Sequence, residues 1–202
     1  MQKIEIALSD EGLYQLRLLA ESQGSQVEEY LAALLRKSIP GVLSTKPKTW
    51  MPRTQWDALI RGENCPLCRP NEQIDAFGYT VADLSLSCFR LMANQSVPGF
   101  CVLFCTRHVR EPFELSIEDR SRFFGDILLA AQAIEQAYGP IKLNYEILGN
   151  VVPHLHCYIK PRYYGDPAPG APIHPDQHVV RLSVIEYEER VQALRKALEE
   201  LA

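Results

Sequence analysis

Residues 153–162 read PHLHCYIKPR and decide how this sequence folds. Alternate side chains of a strand point to the same face of a sheet. One face of this predicted strand therefore takes the polar residues His154, His156, Tyr158 and Lys160. The other face takes the apolar residues Leu155, Cys157 and Ile159. The segment thus predicts a strand with one face in the core and one face that carries chemistry.

The polar face of this strand does not suit a dry core. Two imidazoles, a phenol and an ammonium group cannot be buried without hydrogen-bond partners. The chain holds only five histidines, and two of them lie in this row. We interpret the row as a functional surface. A solvated strand face that contains histidine by chance is the alternative.

The surrounding sequence predicts a main domain over residues 54–202. A short helix over residues 54–60 comes first, and further strands follow near residues 79–84, 86–92, 100–106 and 141–148. Ser116 caps a long helix with an apolar stripe, and a second striped helix closes the chain. Runs of strands with helices between them indicate an antiparallel α+β fold.

Cys65 and Cys68 form a Cys-x-x-Cys pair near the start of this domain. The spacing lets two thiolates bind one zinc ion, and tetrahedral zinc needs two further ligands. A redox pair is one alternative, although such a pair normally opens a helix, whereas proline and glycine surround this one. Two ordinary buried thiols are the other alternative.

The first forty residues form a separate strand-helix-helix pattern. Ile4, Ile6 and Leu8 alternate with polar or small residues, and two helices with apolar stripes follow. The pattern resembles a ribbon-helix-helix module, in which two chains pair their strands, so it implies a homodimer. The resemblance also suggests DNA binding through Lys3, Glu5 and Ala7. Four basic and six acidic residues give residues 1–40 a net charge of −2, which opposes docking on DNA.

The composition and charge of the chain exclude several classes of protein. The chain has 202 residues, 47% hydrophobic and 23% charged, with a formal net charge of −4. Such values are typical of a soluble globular protein and argue against a main role in neutralising a phosphate backbone. No apolar run is long enough for a membrane span, and Glu5 interrupts the start of any signal sequence. We expect a cytoplasmic protein with reduced cysteines, and residues 41–53 are predicted to be a linker.

The motifs together resemble the histidine triad superfamily of nucleotide hydrolases and transferases. Residues 98–109, PGFCVLFCTRHV, resemble the strand and Arg/Lys-His-Val turn of that family. Residues 144–150, NYEILGN, resemble its glycine-containing loop, and His154-Leu155-His156 resembles its signature. The similarity spans most of residues 54–200 and implies the family's antiparallel sheet with helices.

The resemblance implies roles for individual residues. It implies a structural zinc ion held by Cys65, Cys68, His108 and His154. It makes His156 the nucleophile that attacks the α-phosphorus of a nucleotide and forms a nucleotidyl-histidine intermediate. It places the backbone around Gly149, together with Asn150 and Asn144, near the phosphates. Lys160 is either a phosphate contact or a solvated lysine.

Two positions depart from the family pattern. Tyr158 stands where most members have a third histidine, and a phenol is a poor proton shuttle at neutral pH. Asn94 is the only residue that can substitute for the family's ribose-binding acid. We therefore expect a nucleoside-phosphate hydrolase or nucleotidyltransferase that acts on a nucleoside phosphate, a dinucleoside polyphosphate or a nucleotide sugar. A nucleotide-binding or sensing protein with weak catalysis and a DNA-binding regulator are the alternatives.

Overall fold

The structure is a computed structural model and describes residues 8–38, 50–68, 74–75, 78–174 and 179–201. The chain divides into two compact units, Met1–Trp50 and Met51–Ala202. Residues 41–49 of the predicted linker lie outside the described residues, and the linker stays a prediction at these positions.

The described part of the first unit, residues 8–38 and 50, contains two helices, α1 (Asp10–Ser22) and α2 (Val27–Ser38). Ser9 caps α1, because its Oγ accepts a hydrogen bond from the Gly12 amide at 3.1 Å. Gly24 adopts a left-handed φ of 66°, which lets the chain turn between the helices. The predicted strand lies in residues 1–7 and at Leu8, almost wholly outside the described residues. Strand pairing between two chains therefore stays a prediction.

Among its described residues, the second unit contains a six-stranded sheet and three α-helices. Helix α3 covers Arg53–Ile60 and begins inside the predicted linker, one residue before the predicted start. The remaining elements are β1 (Ile74–Asp75), β2 (Gly78–Asp83), β3 (Ser87–Met92), β4 (Cys101–Cys105), α4 (Ile117–Tyr138), β5 (Lys142–Glu146), β6 (His156–Arg162) and α5 (Val184–Leu201). The sheet order is β1-β2-β3-β4-β6-β5, and every neighbouring pair is antiparallel. The predicted antiparallel α+β fold is confirmed.

One face of the sheet forms the core with α4 and α5. Ser116 caps α4 by accepting from the Asp119 amide at 3.1 Å, and Gly139 ends the helix in the left-handed conformation. The core consists of apolar side chains from both layers, among them Leu103, Ile159, Phe123, Ile134 and Leu194. None of the helices in the described part of the chain combines the length and apolar character that a membrane crossing requires.

Strand register brings the polar residues together on the opposite face. In β4 and β6, Phe104 pairs with His156 and Val102 pairs with Tyr158. In β5 and β6, Glu146 pairs with Tyr158. Leu155, Cys157 and Ile159 all lie in the core, as the alternation predicts. The sequence predicted that the strand begins at His154. In the structure β6 begins at His156, so His154 lies just before the strand.

Candidate active site and metal centre

Four side chains from distant parts of the sequence form one cluster. The ligand atoms of Cys65, Cys68, His108 and His154 all lie within 4.8 Å of one another. Cys65 and His154 are buried, His108 is half-buried and Cys68 is exposed. These are the four residues that the family resemblance implies as metal ligands.

Backbone carbonyls orient both imidazoles of the cluster. The Nε2 atom of His154 lies 2.7 Å from the Cys105 carbonyl oxygen, and that of His108 lies 3.0 Å from the Ile60 carbonyl oxygen. Because a carbonyl only accepts, each Nε2 carries the proton. Each Nδ1 therefore presents a lone pair to the cluster, which is the arrangement of metal-binding histidines with a hydrogen-bonded outer nitrogen.

The distances between the ligand atoms suit a small tetrahedral cation. Nδ1 of His108 lies 3.2 Å from Nδ1 of His154, and Cys68 Sγ lies 3.0 and 3.4 Å from these two nitrogens. A zinc ion bound at about 2.0–2.1 Å by nitrogen and about 2.3 Å by sulfur places neighbouring ligand atoms roughly 3.3–3.8 Å apart. Two facing lone pairs at 3.2 Å also repel unless a cation lies between them. The donor set fits zinc with all four positions filled by protein.

Burial shifts the protonation of this cluster. Cys68 is exposed as a residue, but partial desolvation of its thiol, with the neighbouring Cys65, raises the pKa of that thiol to about 12. A bound cation would therefore displace a proton from Cys68. Burial lowers the pKa of His154 to about 4, so its imidazole is neutral at pH 7.

The turn that carries the two cysteines is shaped by local backbone conformation. Asn64 has a left-handed φ of 54°, and the Cys68 amide donates to the Cys65 carbonyl at 3.3 Å. Gly62 lies against the His108 ring, where an added Cβ would come within 3.4 Å of the imidazole. The chain thus folds back so that both thiols reach the histidines.

A cavity of about 630 Å³ opens beside the cluster. Its wall comes from strands β3 to β6 and from four loops. The lining residues are Leu67, Met92, Phe100, Phe104, Glu146, Leu148, Gly149, Asn150, Val151, Val152, His156, Tyr158, Lys160, Pro172 and His174. The volume and the mixture of apolar walls with a few polar groups are typical of a small-molecule site.

His156 is the reactive candidate in this cavity. Its Nδ1–H donates to the His154 carbonyl oxygen at 2.6 Å, which fixes the tautomer and leaves the lone pair on Nε2. Burial lowers its pKa, although the bond to the His154 carbonyl opposes that shift, so the ring is neutral at pH 7. His154 therefore has two roles, because its side chain joins the cluster and its carbonyl orients His156.

Aromatic rings surround the His156 imidazole. The Tyr158 ring lies 5.0 Å away and the Phe104 ring 6.3 Å away between ring centres, both edge to face. Such packing restricts the rotamers of the imidazole. Phe100 lies 5.6 Å from Tyr158 and extends the aromatic wall.

Lys160 is neither free nor solvated. Its Nζ donates to Glu146 Oε2 at 2.7 Å and to the Ile173 carbonyl at 3.1 Å, and only 6% of the residue is exposed. The interpretation of Lys160 as a solvated lysine is wrong. Glu146 Oε1 is buried and has no hydrogen-bond partner among the described residues.

Residues 78–165 match the family model described as HIT domain. These residues form a HIT domain. Among solved structures, a histidine triad protein from Marinobacter aquaeolei VT8 is 27% identical, with a TM-score of 0.59 over 66% of this chain and 98% of that chain. Histidine triad proteins from Sinorhizobium meliloti 1021 and Bradyrhizobium japonicum are each 24% identical, with a TM-score of 0.58 over 66% of this chain and 99% of theirs. None of the curated proteins matches the sequence.

Two of the predicted nucleotide-binding residues lie in the cavity wall of the HIT domain and two do not. Gly149 and Asn150 line the cavity. Asn94 and Asn144 are not among the residues that line it. The Asn94 Oδ1 accepts from the Ser96 and Val180 amides, each at 3.0 Å. The Asn144 Oδ1 accepts from Arg162 at 2.9 Å.

The cavity of the HIT domain also contains residues that sequence reasoning missed. Glu146, two residues after Asn144, lies opposite Tyr158 because of the β5–β6 register. Met92, two residues before Asn94, also lines the wall. Leu67 and His174 enter from loops. The alternation along 144–146 could have indicated Glu146, since residues two apart share a face.

Proposed function

We propose that the protein is a nucleoside-phosphate hydrolase or nucleotidyltransferase in which His156 is the nucleophile. The neutral Nε2 attacks the α-phosphorus of a bound nucleotide, and the bond from phosphorus to the leaving-group oxygen breaks. The electron pair leaves with that oxygen, and the nucleotide stays on Nε2 as a phosphoramidate. The observation that carries the proposal is the 2.6 Å hydrogen bond from Nδ1–H to the His154 carbonyl, which leaves Nε2 as the free nitrogen.

The second step transfers the nucleotide from His156 to an acceptor. Water or a second phosphate oxygen attacks the phosphorus, the acceptor loses its proton, and the P–N bond breaks with its electrons returned to the imidazole. Donors that face the phosphoryl oxygens stabilise the charge of both transition states. Asn150 and Tyr158 both line the cavity, and we propose their side chains as the donors.

The metal has a supporting role in this proposal. Cys65, Cys68, His108 and His154 would hold a zinc ion, which supplies a structural cross-link between the cysteine turn and the sheet. With four protein ligands, such an ion would have no coordination position for substrate. His154 transmits its fixed position to His156 through its carbonyl oxygen.

Tyr158 favours one second candidate, a nucleotide-binding protein with weak turnover. A phenol donates a hydrogen bond to a phosphoryl oxygen but is a poor acid for a leaving group at neutral pH. Tight nucleotide binding with no product over long incubation would favour this candidate.

The experiment is a comparison of purified wild-type protein with His156→Ala. Each is incubated with dinucleoside polyphosphates and nucleotide sugars, and products are separated by chromatography. We expect product from the wild type, none from His156→Ala, and equal metal content in both by atomic spectrometry. Equal product from the two proteins would contradict the mechanism.

We also propose that residues 1–40 pair two copies of the chain. The support is the short strand pattern of residues 4–8, since a lone strand leaves its backbone amides unsatisfied. Sedimentation velocity of the full chain and of a variant that lacks residues 1–50 tests this, with a dimer expected only for the full chain.

Glu5 and the net charge of −2 in residues 1–40 argue against DNA binding by this segment.

A further inference from the structure

The turn between the two cysteine ligands belongs to both sites. Cys65 and Cys68 contribute their thiols to the four-residue cluster. Leu67, between them in sequence, lines the same cavity as His156. The residue is half-buried. Anything that moves this turn moves a wall of the cavity.

The segment that carries Leu67 is joined to the sheet at the metal cluster. Cys65 and Cys68 contact His154 at 3.5 and 3.4 Å, and Cys68 contacts His108 at 3.0 Å. The Ile60 carbonyl at the end of α3 accepts from His108 at 3.0 Å. Ile60, Cys65 and Cys68 thus each make a polar contact with His108 or His154.

The same histidines connect the cluster to the nucleophile. His154 Nδ1 faces the cysteines, and the carbonyl of His154 accepts the 2.6 Å hydrogen bond from His156. Without a cation, the Nδ1 lone pairs of His108 and His154 repel each other across 3.2 Å. The free thiols of Cys65 and Cys68 also lie in this small space. Only weak S–H donors from Cys65 and Cys68 then face these nitrogens, whereas a bound cation would join the cysteine turn and His154 by direct bonds.

We propose that metal occupancy sets nucleotide affinity, because the bound ion holds Leu67 against the nucleotide. Leu67 is then a substrate-contacting residue, and His154 is a positioning residue. The inference rests on the proposed function, since it requires that a nucleotide occupies this cavity. By linkage, a nucleotide that binds more tightly to the metal-loaded form must tighten metal binding by the same factor.

The test measures this linkage with nucleoside 5′-monophosphates. Calorimetry with AMP, GMP, CMP and UMP on the zinc-loaded full chain selects the monophosphate that binds most tightly. Zinc affinity is then measured by chelator competition with and without that monophosphate at saturation. We expect about a tenfold tightening of zinc binding, the low end of the effect of an apolar contact in a ligand site.

The variant Leu67→Ala removes the contact while leaving all four metal ligands. We expect one zinc ion per chain, about tenfold weaker monophosphate binding, and little remaining tightening of zinc by the nucleotide. Leu128→Ala is the matched control. Leu128 lies on the exposed side of α4, 61% exposed and outside the cavity, so both the affinity and the linkage should match the wild type.

A cobalt-loaded protein gives a readout that needs no metal-free chain. Nucleotide binding should shift the visible absorption of Co²⁺ in the wild type and not in Leu67→Ala. Unchanged zinc affinity and an unchanged cobalt spectrum in a wild type that binds the monophosphate would overturn the inference alone. A zinc-loaded wild type that binds none of the four monophosphates would overturn the proposed function and this inference with it.

Discussion

Replacing Lys160 with methionine removes a buried cation from the cavity wall. Its Nζ bonds Glu146 at 2.7 Å and the Ile173 carbonyl at 3.1 Å. The two charged side chains are only 7% and 18% exposed, so solvent screens them weakly. Methionine keeps most of the apolar stem, and the substitution therefore removes charge and hydrogen bonds rather than packing.

The magnitude follows from the carboxylate that is left behind. Removing one partner of a buried pair costs about 3–5 kcal/mol, since the remaining charge stays uncompensated. Glu146 borders a cavity that water can enter, so we expect the low end, about 3 kcal/mol. At about 2–4 °C per kcal/mol for a unit of this size, Tm falls by roughly 6–12 °C.

Urea and thermal unfolding of four proteins test this reasoning. Lys160→Arg keeps the charge and should retain most of the stability. The double variant Lys160→Met/Glu146→Met replaces the pair by apolar side chains and should recover most of the loss. A loss below about 1 kcal/mol in Lys160→Met, or a double variant as unstable as the single one, would refute the reasoning.

Three further predictions concern single residues. The Asp126 carboxylate accepts hydrogen bonds from the Ser85 and Leu86 amides and from the Ser87 hydroxyl. Asp126→Ala should therefore lower the free energy of unfolding, measured in urea, by about 3 kcal/mol. An unchanged urea midpoint of unfolding would contradict this. The hydrogen bond from Arg162 lowers the pKa of Asp166 to about 2. The ion pair therefore stabilises the fold fully above about pH 4, and this stabilisation is lost as the pH falls through about 2. Asp166→Asn should therefore be less stable than wild type at pH 7 in urea, with the difference narrowing toward pH 2; a constant difference would count against the pair. Tyr158→His should raise hydrolysis about tenfold or more in a product assay, with Tyr158→Phe as control, since a histidine shuttles protons at neutral pH.

Local pattern predicted strand β6 well. The alternation of Leu155, Cys157 and Ile159 with polar residues depends on backbone geometry alone, and the structure places these three in the core. The ends of the strand were less predictable. His154 precedes β6 because its side chain turns to the cysteines, a contact across 86 and 89 residues of sequence that no local pattern contains.

The cavity wall depends on register between strands, which one sequence does not reveal. Asn144 was assigned by its place in a motif, but the β5–β6 pairing sets Glu146 opposite Tyr158 instead. Lys160 was placed on the correct face, whereas its partner Glu146 is set by the same non-local register. Leu67 was missed because a residue between two metal ligands gives no signal of its own.

The central claim is that His156 carries the nucleotide during the reaction. Intact-mass and peptide mass spectrometry after brief exposure to dinucleoside polyphosphates and nucleotide sugars, quenched at alkaline pH to preserve a P–N bond, measures this directly. The account predicts one added nucleotidyl mass on the peptide that contains His156, absent from His156→Ala. Product formation with no adduct on that peptide, or an adduct that persists in His156→Ala, would contradict it.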